Sequence, residues 1–265
     1  MAIKQITRLA CGISGGVPMT LYRRHLAWLC WSLSVYQKCA AGIMVSSLAS
    51  VMLVTATSSA VAAQATMGGV SINLPSPPDF CELSESNSSD KRMLTTVGDL
   101  ITKSGNKLLG FSADCGQLRD WRASKRRYLD DYAQYQAEIS SLDKPPRETS
   151  QQTCAYLRAE GDKIIAKEIP DVNARVEAAL KNTKINETTF IGVLEEDPNV
   201  CFAGLIQQIR LSDGTDKTQL GLFAVTIVKN RTIFAYRFAI YGSKSVNSIL
   251  AKLKDNVTAL HAANR

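Results

Sequence analysis

The sequence predicts an α+β domain: an antiparallel sheet with a strand meander in its C-terminal half and helices packed across it. Three observations carry this. Four strand-like segments follow one another at 188–195, 201–211, 219–228 and 232–241. The last two are apolar on both faces, with Leu220, Leu222 and Ala224 against Phe223, Val225 and Ile227, then Phe234, Tyr236 and Phe238 against Ile233, Ala235 and Ala239. Strands of that kind are covered on both sides, so layers are expected above and below the sheet. A closing segment, 243–262, carries Val246, Ile249, Leu250, Leu253, Val257 and Leu260 on one helical stripe suited to cover one face.

The other elements follow in chain order. Residues 69–74 alternate apolar and polar as a half-buried strand does, and Pro75, Pro77 and Pro78 stop it, because proline cannot donate to a ladder. A polar loop, 84–90, leads to a helix from Asp90, with Met93, Leu94, Val97, Leu100 and Ile101 at helical spacing. Residues 107–111 read as a strand entering the Cys115 region, and Tyr128 to Tyr135 fits strand or helix. Pro145-Pro146 mark a solvated loop. A helix is expected from near Ser150 through Cys154, Leu157, Ile164 and Ile165, interrupted at Pro170 and continued by Val172, Val176, Ala179 and Leu180. Asn230 marks a tight turn between the last two strands. No internal repeat is present.

Charge divides the chain. The net +7 is concentrated in residues 1–63, where Lys4, Arg8, Arg23, Arg24 and Lys38 stand without any Asp or Glu; the remainder is nearly neutral. Residues 39–63 carry no charge and end in small side chains. This is the composition of a targeting segment, so 1–63 reads as a signal peptide with a long basic region and 64–265 as one exported domain, periplasmic or secreted. Ala60-Val61-Ala62, Val61-Ala62-Ala63 and Ala63-Gln64-Ala65 each satisfy a peptidase that needs small residues at alternating positions, and the cut is expected after Ala63 or Ala65. The alternative is an uncleaved inner-membrane anchor, since twenty-five uncharged residues can span a bilayer. Richness in Ala, Ser, Thr and Gly favours cleavage.

Four of the seven cysteines, Cys81, Cys115, Cys154 and Cys201, lie outside that segment. An even number in an exported domain predicts disulfides with three possible connectivities, of which nearest-neighbour closure, Cys81–Cys115 and Cys154–Cys201, is topologically the simplest. Their wide spacing matches no zinc site.

An exported chain that opens with Gly69-Val70-Ser71-Ile72-Asn73-Leu74-Pro75-Ser76-Pro77-Pro78 and closes with a strand meander and helix, over 69–262, resembles the PsbP-like group of α/β/α sandwich domains. Together with Phe80-Cys81-Glu82-Leu83, it also resembles uncharacterised exported α-proteobacterial proteins. The PsbP-like resemblance implies binding to partners rather than catalysis, and carries over no site residue.

The chemistry-bearing residues point the same way. His261 is the one histidine after residue 63 and sits near a helix end, where it reads as a solvated group favoured by the helix dipole. No metal site and no cofactor is predicted. Glu195, Glu196, Asp197, Asp213 and Asp216 form the one carboxylate group that could serve an alternative, a carboxylate-dependent hydrolase. Arg119, Arg122, Lys125, Arg126 and Arg127 surround Trp121 and run into Tyr128, a candidate basic surface for an unknown protein or envelope component. Export argues against nucleic acid, and membrane contact is expected only if 39–63 stays uncleaved. Arg237, inside an apolar strand, requires a carboxylate partner or an exit to solvent. The expectation is a non-enzymatic exported binding or accessory domain.

Overall fold

The computed structural model describes residues 63–179 and 184–265. Residues 1–62, Leu180, and the side chains of Val172 and Ala179 lie outside the described part, and with them most of the predicted leader. Among the described residues no helix is long and apolar enough to cross a membrane.

The strands are β1 (Ala63–Met67), β2 (Val70–Leu74), β3 (Phe80–Glu82), β4 (Asn106–Asp114), β5 (Tyr132–Glu138), β6 (Lys184–Asp197), β7 (Val200–Arg210), β8 (Asp216–Val228) and β9 (Arg231–Ile240). The helices are α1 (Ser88–Lys103), α2 (Cys115–Arg122), α3 (Ser150–Ala179) and α4 (Val246–Ala262). Seven strands form one antiparallel sheet in the order β3-β4-β5-β9-β8-β7-β6. The predicted α+β fold and the C-terminal meander are both present.

The meander forms because its local signals agree. Lys229 and Asn230 both take positive φ, +45° and +60°, between β8 and β9, the two-residue turn whose twist matches a hairpin. Leu220, Leu222, Ile233 and Ala235 face one core; Phe223, Val225, Phe234, Tyr236 and Phe238 face the other. The expected layers are there: α1, α2 and α3 cover one face, while α4 and a separate β1–β2 hairpin cover the second.

Four elements differ from expectation. The strand at 69–74 is half of a hairpin, turned at Gly68-Gly69 with positive φ at both, and a side chain at Gly68 would meet the Asp143 backbone at 2.5 Å. Helix α1 starts earlier than Asp90, because the Asn87 side chain accepts from the Ser89 and Asp90 amides. Residues 115–122 form α2, where Asp114 caps the Gln117 amide at 2.9 Å. Pro170 does not interrupt α3; Ile164, Ile165 and Ile169 before it and Val176 after it are buried in one core, and that packing offsets the lost backbone bond.

Of the ambiguous stretch 128–135, residues 128–131 are neither helix nor strand and 132–135 open β5, a strand buried along its whole length although it carries Gln134, Gln136 and Glu138. The Gln136 amide donates to Gln134 Oε1 at 2.8 Å, so part of the polar row satisfies itself. Strand β5 lies beside β9, Tyr132 opposite Phe238, with ring centroids 4.6 Å apart. That seam joins the front of the chain to its end.

Both predicted disulfides are formed, Cys81–Cys115 and Cys154–Cys201.

Candidate functional site

A cleft of about 340 Å³ opens between α1, β4, the start of β1 and the β3 region. Its apolar wall is Leu74, Leu83, Leu94, Leu108, Leu109 and Phe111, and Thr95, Thr102 and Ser112 add polar groups to the lining. Leu74, Leu83 and Phe111 belong to the two cores, whereas Leu94, Leu108 and Leu109 are only half-buried. Leu108 packs against the core under α1, α2 and α3 and Leu109 against the core under α4 and the β1–β2 hairpin, so the cleft reaches both faces of β4.

Glu82 forms one end of the cleft. Its Oε1 accepts from the Ala63 amide at 3.0 Å and from the Ser76 hydroxyl at 3.1 Å. Beside it the Tyr135 hydroxyl lies 2.8 Å from both the Pro75 carbonyl oxygen and Asn256 Oδ1. Burial pushes the Tyr135 phenol pKa well above its ordinary value, so it stays protonated. Glu85 and Lys107 are exposed at the rim. No sequence reasoning singled out this cleft, since its wall residues read as ordinary core positions. The Phe80-Cys81-Glu82-Leu83 run was the nearest signal.

The basic segment lies elsewhere, and most of its cations have partners. Arg122 pairs through Nε, at 3.0 Å, and a second nitrogen with the fully buried Asp90, which ties α2 to α1. Arg126 bonds Asp130 and donates to the Tyr128 carbonyl at 2.6 Å; Arg127 lies 3.8 Å from Asp213. Trp121 packs against the core, and Tyr128 is buried, its hydroxyl 3.1 Å from Ser212. Arg119 and Lys125 remain exposed, Arg119 with Asp120 at 3.9 Å.

The five carboxylates do not converge. Glu195, Glu196 and Asp197 pair with the start of β7, whereas Asp213 and Asp216 follow its end. Eleven residues of strand put the two groups roughly 30 Å apart. Glu195 pairs with Lys254, and Glu196 with Arg158 at 2.6 Å. Hydrogen bonding from Thr215 holds Asp213 below the usual carboxylate range, and Arg210 at 2.8 Å does the same for Asp216. That favours the ionised form of Asp213 and Asp216, the opposite of what a general acid needs.

His261 is not a solvated helix-end group. It is half-buried, its Nε2 lies 2.8 Å from the Thr226 hydroxyl, and burial, then the neighbouring Arg265, lowers its pKa. Arg237 has its expected carboxylate: Asp131 at 3.1 Å, shared with Lys244, while the guanidinium stacks 3.8 Å from the Phe80 ring centroid. Among the described residues no group of three or more His, Cys, Asp or Glu is placed to hold a metal ion.

No protein-family model matches the chain, and no curated protein does. Among solved structures it is similar to the Saccharomyces cerevisiae Ran-binding protein Mog1p, at 7% identity over 76% of this chain and 90% of that one, with a TM-score of 0.28, a likeness too distant to carry an argument.

Proposed function

We propose that this chain is an exported, non-enzymatic binding domain that takes a small, largely apolar ligand in the cleft between α1 and β4. The observation that carries it is the cleft itself, about 340 Å³ in volume, with five leucines and Phe111 in its lining beside hydroxyl groups, and Glu82 and Ser76 at one end. That volume lies in the range typical of small-molecule sites, which are mostly apolar with a few placed polar groups. Support for a non-catalytic role comes from the scattering of the carboxylates, the engagement of Cys81, Cys115, Cys154 and Cys201 in disulfides, and the bond from His261 to Thr226. Export is supported by the two disulfides and by the basic, acid-free composition of 1–63. The PsbP-like resemblance stands with this reading as a proposal. The test is titration with the neutral fluorophore N-phenyl-1-naphthylamine. Saturable binding that is lost in Leu94→Arg and kept in Lys125→Ala is expected; equal signal from wild type and Leu94→Arg would sink the cleft as the site.

A further inference from the structure

We infer that proteolytic maturation cuts between Ala62 and Ala63, and that the α-ammonium this leaves on Ala63 closes onto Glu82 to complete the end of the cleft. The inference rests on the export reading, and it moves the cut from after Ala63 or Ala65. In β1, Ala63 pairs with Leu74, and Gln64 and Ala65 pair with Asn73 and Ile72. A cut after Ala65 would strip three residues, Ala63 to Ala65, from a five-residue strand. It would also remove the Gln64 side-chain amide that donates to Asn73 Oδ1 at 2.9 Å. A cut after Ala63 would leave Glu82 without the nitrogen it accepts from.

A cut after Ala62 keeps the Ala63, Gln64 and Ala65 pairings and the bonds to Glu82 and Asn73. The residues Ala60-Val61-Ala62 present small side chains at the two positions a signal peptidase reads. Hydrolysis consumes one water: the Ala62 carbonyl becomes a carboxylate on the released segment, and the Ala63 nitrogen takes up protons to become an ammonium. That nitrogen already lies 3.0 Å from Glu82 Oε1. An amide there offers one N–H and no charge. An ammonium offers three donors and a full charge to a half-buried carboxylate, and charge-assisted bonds of this kind are roughly twice as strong as neutral ones. The other charged groups lining this cleft, Glu85 and Lys107, sit exposed at its rim.

The consequence for binding is specific. With its charge matched by Ala63, Glu82 stops attracting cations, and the mature cleft favours a neutral apolar ligand over an amine. In the precursor, the donors that Glu82 Oε1 meets among the described residues are neutral, the Ala63 amide and the Ser76 hydroxyl, while Arg122 donates to the Glu82 main-chain carbonyl at 3.3 Å.

The experiment uses the full chain expressed in an exporting bacterial host and recovered from its envelope or medium. Intact mass is measured first, and then the titration of the N-terminal amine by pH-dependent chemical labelling. A mass that begins at Ala63 and an α-amine titrating above the ordinary value of about 7.7–8.0 are expected, with Glu82→Gln returning it to that range. A chain starting at Gln64 or Thr66 overturns this inference and leaves the export reading intact, whereas an unprocessed chain overturns both. A chain starting at Ala63 whose amine titrates at the ordinary value overturns the ion pair, whether or not Glu82→Gln accumulates.

Discussion

The β6–β9 meander and the β3–β5 side of the sheet are held by different forces. In the meander, β8 and β9 are apolar and buried on both faces, β7 is mostly buried and only the edge strand β6 is largely open; the Cys154–Cys201 bridge, with both cysteines fully buried, ties α3 to β7. On the β3–β5 side the strands are short or polar, and charge does more of the work. Arg122 fastens α2 to Asp90, Arg126 and Lys217 converge on Asp130, and Arg237 and Lys244 converge on Asp131. Its disulfide, Cys81–Cys115, is half-buried and links a three-residue strand to the first turn of an eight-residue helix. Non-directional burial can build a region from pattern alone, while ion pairs need each partner delivered by a different part of the chain.

The sharpest way to break this contrast is to remove the charge that serves both regions. Asp131→Ala leaves Arg237, only 2% exposed in its side chain, without a carboxylate in the β5–β9 seam. Loss of one partner from a buried pair costs about 3–5 kcal/mol, to be read as a lower urea midpoint. A loss under about 1 kcal/mol would show that aromatic stacking holds the seam unaided.

The disulfides come next. Replacing Cys154 and Cys201 by alanine should cost about 4 kcal/mol from loop entropy, and more if the buried site does not close up. The Cys81 and Cys115 double variant should lose the same entropic share or less, since its first effect is to free β3 and α2 locally. In native protein treated with dithiothreitol, Cys81 and Cys115 should be alkylated first, because exchange requires a thiolate to reach the sulfur. Equal rates for the two bridges would erase the distinction.

Arg122→Ala strands the buried Asp90 and should cost about 1–3 kcal/mol, whereas Lys125→Ala, exposed in the same basic run, should stay within about 0.5 kcal/mol. Matching values for the pair would mean that the Asp90 bridge contributes nothing.

The smallest effect belongs to pH. His261 has a folded pKa below its ordinary 6.5, so below that pH the unfolded chain binds more protons and stability falls as the solution is acidified. Chemical denaturation from pH 7 to 5 should show a shallow decline that His261→Gln removes. An unchanged slope in the variant would assign the decline to carboxylates.

Legibility followed the same division. The meander strands, the turn at Asn230 and the stripe of α4 were readable because burial there is periodic and the turn residues agree with it. Strand β5 stayed ambiguous because Gln134, Gln136 and Glu138 occupy positions where a central strand ordinarily carries apolar residues. The α2 helix was hidden in a basic run with Leu118 its one buried residue. Among candidate site residues, Arg122 and Arg126 advertised charge, yet the carboxylates they meet were invisible in the linear order. Asn73 is a similar case. Its amide donates to Asn264 Oδ1 at 2.8 Å, so the hairpin is clasped to the chain's end by two residues 191 positions apart.

By itself the sequence determined the α+β class, the meander and its closing helix, the four cysteines available for two disulfides, and the separation of charge between residues 1–63 and the rest of the chain. Those properties depend on local period, turn chemistry and composition. Only the tertiary structure decided that β5 lies against β9, that the five carboxylates stand at opposite ends of β7, that the basic run is largely paired, and that leucines from β2, α1 and β4 leave a cleft beside Glu82. Each of these depends on which faces meet across long stretches of chain. A residue's chemistry states what it can pair with, and folding alone selects the partner.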